Sequence, residues 1–236
     1  MDKGSVIQIE YTLYDAEAGI VIETNRADEQ ESTGDGGADQ SQEAQPLTTI
    51  VGSGRLIPGF EEHLEEAEEG VDYSIEIPAE KGYGAKDPDL VETITQDRLL
   101  ASVPDPRSLQ IGSPVTINNR VGVLQLLAAG RARIDFNHPL AGKILRYEYT
   151  VTKVINDEQE RLSAIVESMT GRSGFSFEST EEALVITLPD DLRYDARWGS
   201  TKFDVVGGLR EHAGAETIIF REIHPIRVAG DASEEE

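Results

Sequence analysis

The sequence predicts an α+β fold, and two kinds of periodicity together with one change in composition support this prediction. Val6–Leu13 and Ile144–Ile155 alternate apolar and polar residues, which is the period of a half-buried β-strand. Glu158–Thr170 instead carries its apolar side chains three and four positions apart, as an amphipathic helix does. The composition changes at Asn156–Glu160, so we expect a β-rich N-terminal part and a separate C-terminal α+β domain.

The N-terminal part is predicted to contain a run of strands and one helix. The predicted strands are Val6–Leu13, Ile20–Ile22, Leu47–Val51, Val71–Pro78 and the later Ile144–Ile155. Apolar side chains recur at helical spacing in Phe60–Glu69, which predicts a helix that stops at Gly70. The many glutamates of this segment predict a solvated helix face, with a cation site as the alternative. Arg26–Pro46 has no apolar rhythm and predicts a mobile, solvated loop, with a functional tether as the alternative.

The remaining elements are shorter and are separated by turn signals. In the middle of the chain we expect a short helix near Thr95–Leu100 and strands at Val115–Asn118, Arg120–Leu127 and Ala132–Phe136, with hairpin turns at Asn118–Asn119 and Ala129–Gly130. In the C-terminal domain we expect helices at Glu158–Thr170 and Phe203–His212 and strands at Phe175–Phe177, Ala183–Leu188 and Glu216–Ile226. The tail Asp231–Glu236 is predicted to be disordered.

The charge balance excludes two classes of partner. The chain has 21 Lys and Arg against 45 Asp and Glu, which gives a formal net charge of −24. Such a surface repels nucleic acid and anionic membranes, because binding to either depends on basic side chains. The charge also favours a salt-loving source, where concentrated salt screens the self-repulsion, with an ordinary acidic cytosolic protein as the alternative.

The inventory of reactive residues predicts neither a metal nor a cofactor. Cysteine is absent, which excludes disulfides, thiolate zinc sites and cysteine nucleophiles. The histidines His63, His138, His212 and His224 lie far apart, and His138 is expected to hold a turn rather than act as an acid or base. The N-terminus lacks an apolar signal core, and the longest apolar run, Val121–Gly130, is shorter than the ~20 residues that a membrane span needs. We therefore expect a soluble, cytoplasmic protein.

Three stretches, in this order, resemble the FKBP-type peptidyl-prolyl isomerases of the SlyD-like branch. They are VGSGRLIPGFEEHLEEAEEG at Val51–Gly70, IEIPAEKGYG at Ile75–Gly84 and DFNHPLAGKILRYEYTV at Asp135–Val151. The resemblance implies an antiparallel sheet wrapped on a short helix for residues 1–85 and 138–155, with an inserted domain at 86–137. With a further α+β domain at 157–230 and an acidic tail at 231–236, the chain is similar to a long archaeal member of this branch.

The resemblance implies an isomerase site that needs no cofactor. Rotation about an X–Pro bond must break amide resonance, with a barrier of ~20 kcal/mol, and a dry apolar cleft favours the twisted, less polar amide. By their place in the family motifs, the residues of this cleft would be Tyr11, Ile22, Glu23, Leu47, Leu56, Ile57, Phe60, Tyr83, Leu140 and Tyr147. The Ile57 amide and the Tyr83 hydroxyl would donate to substrate carbonyls. Plain core packing is the alternative for each apolar member.

The sequence departs from the family pattern at some of these positions. Glu23 stands where the family usually has Asp, and Ile22 and Leu47 occupy positions that are often aromatic. Gly82 replaces the usual Ala before the Tyr-Gly pair. These differences predict a less aromatic cleft with a repositioned carboxylate.

The resemblance also implies a chaperone activity for the inserted domain, with unfolded, proline-containing polypeptides as partners. The residues expected to bind clients are Ile117, Val121, Val123, Leu124, Leu126, Leu127 and Ile134. They exceed what a unit of ~50 residues easily buries, and an exposed apolar patch can hold an extended chain segment. An ordinary small core is the alternative. Two other interpretations stay open: a non-catalytic holdase, and a C-terminal domain that serves to form a homodimer or to dock on the ribosome.

Overall fold

The computed structural model describes residues 1–27, 45–103 and 106–224, and within them the chain forms three β-sheets with helices packed against them. The strands are β1 Val6–Asp15, β2 Ile20–Thr24, β3 Leu47–Ile50, β4 Asp72–Ile77, β5 Val91–Thr95, β6 Pro114–Ile117, β7 Arg120–Ala128, β8 Arg131–Asp135, β9 Leu145–Ile155, β10 Ser176–Ser179, β11 Leu184–Thr187 and β12 Ile218–Arg221. The helices are α1 Pro58–Glu66, α2 Gln96–Ser102, α3 Glu158–Thr170 and α4 Trp198–Ala213, with 3₁₀ turns at Ala79–Lys81, Pro88–Leu90, Pro106–Ser108 and Leu192–Tyr194.

The first sheet is antiparallel and places its strands in the order β2–β1–β9–β4, with β3 also paired to β1. β1 is long enough for β3 to pair beside its first half and for β2 to pair beside its second half. Helix α1 packs on one face, where Phe60 and Leu64 share a buried core with Ile9 and Leu13 of β1. The structure therefore confirms the predicted α+β class with an antiparallel sheet.

Helix α1 is shorter than the sequence predicted. Pro58 suits its first turn, because a proline there loses no helical hydrogen bond. The predicted end at Glu69 is wrong, since Ala67 is buried in the core and takes an extended backbone with φ −72° and ψ 155°. Gly70 has a φ of +76° and its N–H donates to the Val151 carbonyl at 2.9 Å. It therefore turns the chain into β4 instead of ending the helix.

The second sheet has the order β5–β8–β7–β6, is antiparallel throughout and packs against α2. Strand β5 was not predicted, because no turn separates it from α2. Thr95 is the last residue of the strand, and its side chain also caps the helix by accepting from the Arg98 N–H. The predicted hairpin turns are confirmed. Asn118 and Asn119 have φ values of 50° and 64°, and Ala129 has 51°, the positive values that tight hairpins need.

The C-terminal part confirms the predicted order of helix, strand, strand, helix and strand. Helix α3 has the predicted bounds, β10 runs antiparallel to β11, and β12 runs parallel to β11. Helix α4 begins at Trp198, earlier than the predicted start at Phe203, because Trp198 packs into the core whereas Phe203 is 85% exposed. The last strand is shorter than the predicted Glu216–Ile226.

The C-terminal part packs against the first sheet. Val6, Ile50 and Ile155 from that sheet are buried with Leu162 and Ile165 of α3 in one apolar core. Because neighbouring side chains along β1 point to opposite faces, this core lies on the face opposite to α1. The C-terminal part thus covers one end of this opposite face, around Val6, Ile50 and Ile155.

Two predicted segments fall largely outside the described residues. The structure does not describe residues 28–44 of the predicted loop or any residue of the predicted tail at 231–236. No helix within the described residues is long and apolar enough to cross a membrane. The same residues bring together no group of three or more His, Cys, Asp or Glu that could hold a metal ion.

Candidate functional site

An aromatic cluster lies on the face of the first sheet that packs against α1. The ring of Phe60 stacks on that of Tyr147, with 4.3 Å between centroids and 17° between planes, and meets Tyr149 edge-on at 4.9 Å. The Tyr11 ring lies 5.8 Å from that of Tyr147. The period-two alternation of β9 places Tyr147 and Tyr149 on the same face. Three elements thus contribute to one aromatic cluster, which is largely buried: Phe60 is 1% and Tyr147 is 7% exposed.

Partly buried apolar side chains surround this cluster. They come from β2, β3, the turn before α1 and the segment before β9: Ile22, Leu47, Leu56, Ile57 and Leu140. The apolar residues that the resemblance assigned to a cleft therefore all belong to, or pack against, one core, although they are scattered along the chain. Such an apolar surface with a few polar groups at its edge is typical of a ligand site.

The polar groups at this edge are tyrosine hydroxyls and one carboxylate. The Tyr11 hydroxyl donates to Oε1 of Glu23 at 2.6 Å. Burial and the nearby Glu23 carboxylate raise the pKa of Tyr83, and burial together with Tyr83 and Glu23 raises the pKa of Tyr147. A tyrosine hydroxyl is already protonated at ordinary pH, and the raised pKa values extend this state of Tyr83 and Tyr147 to more alkaline pH. Tyr83 itself is 37% exposed.

Tyr83 is supported by a residue that the sequence did not assign to the site. The His138 ring lies flat against the Tyr83 ring, with 4.2 Å between centroids and 3° between planes. The Leu140 N–H donates to Nδ1 of His138 at 3.2 Å, which fixes the imidazole. Since 55 positions separate the two residues, no local pattern could have indicated this contact. His138 holds a turn, as predicted, and in addition orients the ring of Tyr83.

The turn between β3 and α1 is organised by a buried carboxylate. Glu61 is only 8% exposed and accepts from the N–H groups of Gly52, Arg55 and Leu56 at 2.7, 3.1 and 3.1 Å. The prediction of a solvated face is therefore wrong for Glu61. Among the described residues, no group accepts from the Ile57 N–H, which follows directly after these bound amides. The turn before α1 thus offers one backbone donor that has no acceptor within the described part of the chain.

The apolar residues of the second sheet divide between its core and its surface. Ile117, Leu124 and Ile134 are buried in the core, and Leu127 packs against it. The register of β7 places Val121, Val123 and Leu126 on the opposite face, where Val121 is 68% and Leu126 is 45% exposed. We call these three side chains the β7 stripe. The sequence could not separate the two groups, because a bulge between Leu124 and Leu126 shifts the alternation.

Comparisons with known proteins agree on one family. Residues 1–100 match the model of the FKBP-type peptidyl-prolyl cis-trans isomerase family. The chain is 32% identical over 168 residues to the FKBP-type peptidyl-prolyl cis-trans isomerase SlyD of Treponema pallidum, covering 68% of this chain and 82% of the relative. It is 34% identical over 119 residues to a short-type peptidyl-prolyl cis-trans isomerase of Methanocaldococcus jannaschii, covering 50% of this chain and 74% of the relative.

Proposed function

The chain belongs to the family of FKBP-type peptidyl-prolyl cis-trans isomerases, and from this premise we propose that its aromatic cluster is the cleft in which an X–Pro bond rotates. The enzyme is an isomerase of this type, and its substrates are proline-containing polypeptides. The observation that carries the proposal is the stack of Phe60 on Tyr147. It is supported by the Ile57 N–H, which has no acceptor among the described residues, in a turn that packs against the same core.

The cleft would act by preferring the twisted amide to the planar one. A planar X–Pro amide is polar and well solvated, whereas rotation breaks its resonance and reduces that polarity. Ring surface from Phe60 and Tyr147 would take up the proline and exclude water, which disfavours the planar state relative to the twisted one. The Ile57 amide and the Tyr83 hydroxyl would hold the flanking carbonyls. Neither step requires a proton transfer or a cofactor.

The Tyr83 hydroxyl provides a test of this cleft. We expect Tyr83→Ala to lower kcat/KM for a proline tetrapeptide by about three- to tenfold, the effect of one lost hydrogen bond and some ring contact. Tyr83 is 37% exposed, so the melting temperature should change little. A protease-coupled assay of cis-to-trans conversion, run in low and in molar salt, measures this. Tyr194→Ala is the matched control, because Tyr194 is an exposed tyrosine of the C-terminal part. Equal activity of both variants would place the cleft elsewhere.

A second activity is proposed for residues 86–137, which we interpret as an inserted chaperone domain of the SlyD type. The supporting observation is the β7 stripe, whose apolar side chains face outward on a small sheet. An exposed stripe of this kind can hold an extended, unfolded segment close to the cleft and raise the local concentration of its prolines. The long-form organisation with a C-terminal domain, and a homodimer formed through that domain, remain predictions.

Removing the β7 stripe should separate the two activities. We expect Val121→Ser combined with Leu126→Ser to weaken the suppression of aggregation of an unfolded client while leaving the tetrapeptide kcat/KM unchanged. Both side chains are exposed, so the fold should tolerate the changes. Ile20→Ser is the control, because Ile20 is equally exposed but lies on the first sheet. If aggregation were suppressed as well as by the wild type, the stripe would not be the client site. A stripe variant that lost peptide turnover too would argue against separate sites.

A further inference from the structure

The turn that carries Leu56 and Ile57 is held from a second side, by the C-terminal part of the chain. Within the first part of the chain, the Glu61 carboxylate accepts hydrogen bonds from three backbone N–H groups of this turn. In addition, the Arg55 guanidinium donates to the main-chain carbonyl of Ser168, in the last turn of α3. Arg55 therefore joins the turn directly to a helix from outside the first sheet.

The end of α3 is suited to receive a cation. The last carbonyls of a helix have no partner within it and carry partial negative charge. Gly171 closes α3 in a left-handed conformation, and its N–H binds the Glu167 carbonyl. The next carbonyl, that of Ser168, accepts from Arg55. The contact therefore provides a donor for a carbonyl at the end of the helix, and it places a positive charge where the helix dipole favours one.

Helix α3 is fixed relative to the turn. Val6, Ile50 and Ile155 are at most 5% exposed beneath α3, and Ile50 lies two positions before the turn residue Gly52. Beside this apolar contact an open groove of about 420 Å³ separates α3 from the first sheet. Among the described residues, two polar links cross the same interface: Arg55 to Ser168, and the ion pair of Lys153 with Glu160 at 2.6 Å. Only the first of them contacts the turn.

We propose that Arg55 is a positioning residue of the isomerase, and that the C-terminal part of the chain acts through it to keep the Leu56–Ile57 segment in place beside the aromatic cluster. This inference rests on the proposed cleft. It assigns the C-terminal part a role in isomerisation itself, in contrast to the interpretation left open by the sequence, in which this part forms a homodimer or docks on the ribosome and isomerisation does not depend on it. Arg55 does not contact the substrate; it acts through the backbone of the two residues that follow it.

The test uses the full-length chain with Arg55→Ala, and Lys153→Ala as the matched control. Arg55 is exposed, so its removal should lower the melting temperature only slightly. We expect kcat/KM for a proline tetrapeptide to fall about three- to fivefold in Arg55→Ala, as befits one lost positioning hydrogen bond, and to be unchanged in Lys153→Ala. Amide hydrogen exchange should rise in residues 52–57 of Arg55→Ala but stay unchanged in β1 and β9.

Each other outcome has a definite meaning. If Arg55→Ala matches an active wild type in both turnover and exchange, the positioning role is refuted while the isomerase site stands. If Arg55→Ala and Lys153→Ala lose activity equally, the loss reflects a loosened interface, and the specific role of Arg55 is again refuted. A wild-type protein that fails to accelerate the peptide would instead overturn the proposed cleft, whatever Arg55 does.

Discussion

Glu61→Gln is expected to lower the free energy of unfolding by about 2 kcal/mol and kcat/KM by about tenfold, because hydrogen bonds to a buried charged acceptor are strong and an unmatched amide is costly. The carboxylate accepts from the N–H groups of Gly52, Arg55 and Leu56. Glutamine keeps one acceptor oxygen but turns an NH₂ group toward at least one of these donors. The turn should loosen, and the Ile57 amide should lose its fixed place. Urea denaturation followed by circular dichroism, together with the peptide assay, measures both effects.

Glu66→Gln is the control for this prediction. It removes the same charge from the same helix, but Glu66 is exposed at the end of α1. Surface substitutions of this kind usually change stability by less than about 0.5 kcal/mol. Equal effects of the two variants would mean that charge alone, and not the bonds to the turn, explains the loss at Glu61.

Phe60→Ala should lower kcat/KM at least about tenfold and destabilise the protein by about 3–5 kcal/mol, because it removes a buried ring and leaves a cavity. The substitution also removes the stack on Tyr147, which is the apolar surface proposed to take up the proline. Activity must therefore be compared with that of a variant of similar stability. Leu64→Ala is a suitable comparison, because Leu64 is fully buried one turn later on α1. Its truncation should lower the free energy of unfolding by about 2–5 kcal/mol.

The two variants should then differ in activity rather than in stability. At a temperature where both are folded, we expect Leu64→Ala to keep most of the wild-type kcat/KM and Phe60→Ala to lose at least about tenfold. If kcat/KM fell in parallel with the free energy of unfolding in both, Phe60 would be a core residue and not part of a binding cleft.

The sequence predicted those parts of the fold that depend on local order. Alternation was sufficient to predict β1 and β9, and helical spacing was sufficient to predict α3. Each of these elements buries one face along its whole length, so the pattern is visible in the sequence. The turn at Asn118–Asn119 was predicted because few residues adopt positive φ readily. The end of α1 was missed, because the burial of Ala67 and the pairing of the next segment with β9 decide it from a distance.

In the candidate site, too, some features could be predicted from the sequence and others could not. The resemblance assigned Tyr11, Phe60 and Tyr147 to a cleft, and the structure brings these rings together. The resemblance did not predict the contacts that hold these site residues in place. Glu61 belongs to a run of glutamates and differs from them only in its burial, and His138 meets Tyr83 through tertiary structure alone. The contact of His138 with Tyr83 joins distant segments, and the bonds of Glu61 depend on a burial that its neighbouring glutamates do not share, so no periodicity in the sequence indicates either.

The position of the proline ring in a complex tests the central claim most directly. Intermolecular nuclear Overhauser effects can be measured between the ring protons of a bound proline tetrapeptide and the side chains of the isotope-labelled full-length protein. We expect contacts from the proline to the rings of Phe60 and Tyr147, together with a shift of the Ile57 amide resonance. Contacts confined to the β7 stripe or to the groove beside α3, with none to Phe60, would contradict the account.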